Sequence, residues 1–126
     1  MSPEEFKTAL EASRRFEAEA AGAKFTLLLP SEYQGKVAAE EGSPSVTMRR
    51  VVEGALTGWS GVHASHILPE GPADDLPFSA ENAALLLEHR QDICGALAAE
   101  ISRRFVDRRK KLEGARKNSA RASTGS

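Results

Sequence analysis

Met48, Val51, Val52, Ala55 and Leu56 recur at i, i+3, i+4, i+7 and i+8. That period lays one apolar stripe along a helix and leaves Arg49, Arg50 and Glu53 on the opposite side. A helix so short is stable only when its stripe is covered, so the rest of the chain must supply apolar faces to pack on it. Ser45 is its expected N-cap, and Gly58 is expected at C′, where a left-handed residue closes a helix. Trp59 then emerges just past the helix end, with its ring folded back over the stripe as a buried anchor.

Apolar material to cover that stripe is scarce. Of the 126 residues 40% are apolar, but 20 of these are Ala, which leaves few large side chains for a core. A chain of this length forms one domain, and its thin core makes self-association into a homo-oligomer an expected source of further burial. Cys94 is the one cysteine, so no internal disulfide forms, as befits a reducing compartment. The acidic start Met1-Ser2-Pro3-Glu4-Glu5 does not read as a signal peptide, and no apolar run is long enough to span a bilayer. A cytoplasmic location without a membrane partner is expected.

The other elements follow from caps and periods. Ser2 caps a first helix with Pro3 at N1 and Glu4 and Glu5 in its first turn, and this helix is expected to run to Ala21, ended by Gly22. Its stripe of Phe6, Leu10 and Phe16 is narrow, which fits loose packing or contact with another chain. Residues 24–29 form the one convincing strand, closed by Pro30. Ser31 and Gln34 make a capping box for a short helix that Gly42 ends. After a Pro/Gly loop over 60–77, Ser79 caps a helix with Phe78 placed as a hydrophobic staple. A last helix repeats Ile93, Leu97, Ile101 and Phe105 every four residues, and the pattern fades beyond. The expected fold is therefore mainly α-helical, about five helices with a minor short-strand element in a small single domain. It divides into an N-terminal helix (1–22), a helical core (23–112) and a basic disordered tail (113–126). Leu27, Leu29, Val51, Val52, Leu56, Trp59, Phe78, Leu85, Leu86, Ile93, Leu97 and Ile101 are the expected core.

Reactive side chains form no recognisable constellation. His63-x-x-His66 has ligand-like spacing but no companion pair, so no metal site is expected. Cys94 reads as a small buried hydrophobe, and the adjacent Asp74 and Asp75 point apart in an extended loop. Gly54-x-x-x-Gly58 lacks the Lys-Ser/Thr of a phosphate loop. No catalytic residue, no cofactor and no enzyme activity is expected.

Charge is divided unevenly. Residues 1–102 hold 8 Lys/Arg against 16 Asp/Glu, whereas residues 103–126 hold 9 against 2. Cations favour a helix C-terminus, and Arg103, Arg104, Arg108, Arg109, Lys110 and Lys111 are expected to encircle the helix rather than share one reading face. Nucleic acid is accordingly not expected as a partner beyond weak, salt-sensitive contact.

Two segments carry a resemblance. The order Leu56-Thr57-Gly58-Trp59-Ser60-Gly61-Val62, an acidic Pro/Gly loop, then Leu76-Pro77-Phe78-Ser79-Ala80-Glu81-Asn82 and a Leu-rich helix resembles tail assembly chaperones of long-tailed phages, over roughly residues 25–101. The resemblance implies a protein of the host cytoplasm that binds the tape measure protein and keeps it soluble until tail tube protein polymerises around it. Gly58, Trp59, Gly61, Phe78 and Ser79 form the matching motif, whose residue types are those of a structural joint. The N-terminal helix and the basic tail depart from the family pattern. Alternatives are a phage structural component such as a head–tail joining protein, or a small nucleic-acid-binding regulator using the basic tail.

Overall fold

The computed structural model describes residues 1–40 and 42–124, with side chains through Lys117. Its order is α1 (Pro3–Arg14), β1 (Arg15–Ala20), β2 (Ala23–Leu28), α2 (Glu32–Glu40), α3 (Pro44–Ala55), β3 (Leu56–Ser60), α4 (Ala80–His89) and α5 (Gln91–Thr124). Five helices thus accompany a three-stranded antiparallel sheet ordered β1-β2-β3. The helical class is as expected, and the strand element is larger than expected.

The first helix is the main correction. It stops at Arg14 instead of Ala21, and Arg15–Ala20 pairs with Ala23–Leu28, Phe16 facing Leu27 and Ala18 facing Phe25. Glu17, Ala18, Glu19 and Ala20 are good helix formers, but their alternation also fits a strand with Phe16, Ala18 and Ala20 inward, and pairing with β2 overrides propensity. Ala21 and Gly22 make the turn, both at positive φ (51° and 78°), as a two-residue hairpin requires.

A second correction lies at Gly58. Helix α3 ends at Ala55 with Leu56 already extended, so Gly58 is not its C′ residue but a strand position opposite Thr26. Leu56 leaves the helical stripe and pairs with Leu27 across a register shift at Thr26/Leu27. The cap is Ser43, two residues before the expected Ser45, with Pro44 in the first turn and Ser43 Oγ accepting from the Val46 N–H at 3.4 Å. The other caps stand as expected. Ser2 Oγ accepts from Glu5 N–H (3.1 Å), Ser79 Oγ accepts from Asn82 N–H (3.1 Å), and Ser31 with Gln34 forms the reciprocal box at 3.1 and 2.9 Å.

The core lies between the inner face of the sheet and helices α3, α4 and α5. Phe25, Leu27, Val52, Leu86, Leu87, Ile93 and Leu97 are essentially sealed within it. Of the expected core, Leu85 is instead 48% and Phe78 36% exposed, and Val51 and Trp59 are only partly buried; on α4 it is Ala83, Leu86 and Leu87 that face inward. Phe16, Ala23, Phe25 and Val62 belong to the core beyond the expected set, and Cys94 is buried as expected. Helix α5 runs on to Thr124, through most of the stretch 113–126 expected to be a disordered tail; Gly125 and Ser126 lie outside the described residues.

Candidate functional site

Strand β3 and the residues before α4 meet at one joint. Trp59 lies opposite Phe25 in the sheet, and its ring stands edge-on to Phe25 at 6.2 Å and to Phe78 at 5.0 Å between centroids. Trp59 Nε1 donates to the Leu76 carbonyl at 2.8 Å, so the indole is satisfied at its polar end while its body covers apolar rings. It therefore packs in the sheet beside Phe25, against Phe78 and on the core cluster to which Val52 and Ala55 of α3 belong. Next to it Ser79 caps α4, and Asn82 Nδ2 donates to the Pro77 carbonyl at 2.9 Å. Gly61 has φ 76°, a left-handed conformation that favours glycine, at the point where the loop passes the hairpin turn. Trp59 and Phe78, with the Trp59–Leu76 hydrogen bond, thus join the sheet to the entrance of α4.

The loop between them is tied down by its histidines. The His63 N–H donates to His66 Nδ1 at 3.0 Å, and His66 Nε2 in turn donates to the Ala21 carbonyl at 3.0 Å. His63 Nδ1 lies 3.0 Å from an Asp75 carboxylate oxygen, close in distance but outside hydrogen-bonding geometry. Arg90, which sequence reasoning passed over, fastens the other end. It forks onto Asp92 at 2.9 and 2.8 Å and donates to the His66 carbonyl at 2.9 Å. That fork holds the Asp92 carboxyl down at about 2. Among the described residues no three His, Cys, Asp or Glu side chains gather as metal ligands, and Cys94 is buried in the core, where desolvation pushes its thiol up.

Along one flank of α5 runs an open apolar groove. Its first part, about 540 Å³, lies between Met48 and Val51 of α3 and a floor of Gly95, Ala98, Ala99 and Ser102. Its second part, about 520 Å³, continues from Val51 and Ser102 to Phe105 and Val106. The small residues of the floor keep the backbone of α5 accessible, and Met48 on the rim is 41% exposed.

The other flank of α5 is cationic. Arg103, Arg104, Arg108 and Lys111 face Arg14 and Arg15 across a cleft of about 290 Å³ that also includes Asp107. The basic residues of α5 therefore do not encircle it evenly; four share a side, joined by two arginines from the α1–β1 junction. Arg14 Nε donates to the Leu29 carbonyl (2.7 Å), Arg108 donates to the Ser13 carbonyl (3.3 Å), and Arg104 lies over the Phe16 ring at 4.6 Å. Arg103 and Arg104 together grip the Glu100 carboxylate, and their hydrogen bonds lower its pKa. The hint in the sequence was Arg14-Arg15, but only the hairpin brings it beside α5. No family model matches the chain, and no curated protein or solved structure is significantly similar to it.

Proposed function

We propose that this chain is a tail assembly chaperone of a long-tailed phage, acting in the host cytoplasm on the tape measure protein before tail tube protein assembles around it. The reading rests on the resemblance at Gly58, Trp59, Gly61, Phe78 and Ser79. The structural observation that supports it is the open groove between α3 and α5, with Met48 on its rim and a floor of Gly95, Ala98 and Ala99. A helix is about 10–12 Å across with its side chains, so close approach to α5 needs small residues at the contact. An amphipathic helix of the client lays its apolar face on this floor, in the helix-in-groove mode, and is shielded from aggregation. Long helical proteins expose many such faces before assembly, which is the need a chaperone of this kind meets.

Co-expression tests the reading. The tape measure protein encoded nearby, produced with this chain, should stay soluble and co-purify with it. Ala99→Trp, which fills the groove from an exposed position, should abolish retention while leaving the circular dichroism spectrum intact. A tape measure protein that precipitates equally with and without the chain, and never co-purifies, overturns the proposal.

A further inference from the structure

Helix α1 buries none of its residues, although Phe6 is 59% and Leu10 37% exposed along one stripe. Across a cleft of about 180 Å³ from Leu10 stands Leu112 of α5, itself 48% exposed. An amphipathic helix left uncovered on its apolar side is normally covered by something. Charge narrows what that is. The first turn of α1 carries Glu4 and Glu5, with Glu11 further along, whereas its C-terminal end adjoins the cleft of Arg14, Arg15, Arg103, Arg104, Arg108 and Lys111. One end of this helix is acidic and the other opens onto a concentration of positive charge.

We propose that the α1 face is a homodimer interface in which α1 of a second copy lies antiparallel to α1. A two-fold axis near the middle of the helix brings Phe6 and Leu10 of each copy onto the other's stripe and onto Leu112. The same axis carries the acidic first turn of each copy to the cationic cleft of its partner. Every contact occurs twice, as an isologous interface requires. The charge imbalance of the whole chain has the same sense, acidic over residues 1–102 and basic over 103–126, so two copies attract when a two-fold axis sets the acidic part of each against the basic part of the other. Carboxylates suit the cleft, because Arg103 and Arg104 already hold Glu100 in a fork. Nucleic acid suits it less. Phe16, the aromatic ring beneath Arg104, is buried and offers no surface on which a base stacks, and the acidic body repels a polyphosphate. Paired helices of 12 residues cover less than the roughly 1,200 Å² of a stable specific interface, so the dimer is weak and salt-sensitive. This inference does not depend on the client proposed above.

Sedimentation of the full chain across a concentration series is the test. Dimers should form at low salt and dissociate as salt rises from about 0.05 to 0.5 M, where screening is severe. Phe6→Glu with Leu10→Glu alters only exposed side chains, so the fold should persist and the dissociation constant should rise at least about tenfold. Charge exchange gives the sharper readout. A variant with Glu4→Lys, Glu5→Lys and Glu11→Lys, and another with Arg15→Glu, Arg103→Glu and Lys111→Glu, which leaves three arginines in the cleft against four carboxylates, should each be monomeric alone. Mixed together they should form a heterodimer, because both cross-contacts are then complementary. A chain that stays monomeric at every concentration overturns the proposal, as does a dimer indifferent to these substitutions. So does a monomer that binds a DNA duplex through Arg15 and Lys111, which would make the cleft a polyphosphate site instead.

Discussion

Trp59 and Phe78 meet edge to face with their ring centroids 5.0 Å apart, and this contact joins the last strand of the sheet to the entrance of α4. Because Trp59 also touches Phe25 and donates to Leu76, it serves three elements at once. Trp59→Ala is expected to cost about 3 kcal/mol, in the range for removing a large packed ring. Trp59→Phe keeps most of the ring contact and loses the hydrogen bond, for a cost nearer 1 kcal/mol. Urea denaturation followed by circular dichroism measures both, and equal losses would mean that the indole N–H, not the ring, does the joining.

The hairpin turn offers a change in the opposite direction. Ala21 holds φ 51° beside Gly22 at φ 78°. A left-handed conformation costs an alanine about 1–2 kcal/mol, and asparagine tolerates it better. Ala21→Asn should therefore raise the midpoint of thermal unfolding, and Gly22→Ala should lower it even though its Cβ would meet nothing within 4 Å.

Acid should loosen the junction between α4 and α5. The Arg90 fork lowers the Asp92 pKa from 3.8 to about 2. A depressed folded-state pKa means that the pair stabilises the fold above the unfolded value. That contribution fades as pH falls through 3.8 and is gone below about 2. Asp92→Asn should flatten stability against pH in this window and leave the slope at neutral pH unchanged.

Two adjacent leucines test which side of α4 is inward. Leu86 is 0% exposed and Leu85 48% exposed. Leu86→Ala should cost about 3 kcal/mol, while Leu85→Ala should stay under about 1 kcal/mol. Comparable losses would rotate the helix from its described orientation.

Caps and helical periods were legible because their signals are local. Ser2, Ser79 and the Ser31–Gln34 box announce helix starts within four residues. The sheet was harder to read because its pairing is not local. Arg15–Ala20 has the composition of a helix and becomes a strand only through β2, and Leu56 fits the α3 stripe equally well as it fits a place opposite Leu27. The Trp59 motif was visible as a joint, but its true neighbour, Phe25, stands 34 positions earlier in the chain. The cationic cleft was hidden for the same reason: Arg14-Arg15 is unremarkable until the hairpin lays it against α5.

The position of the one tryptophan has an optical consequence. Its indole lies between a ring from the hairpin and a ring at the mouth of α4, so its environment changes when these two halves separate. Natural fluorescence of the chain, with no label attached, should shift to the red as the sheet comes away from the helices. Helicity, dominated by α5, can persist through that step. A red shift that precedes the loss of helical signal would reveal opening at this joint as a distinct event, and coincident curves would mark the sheet and helices as one cooperative unit.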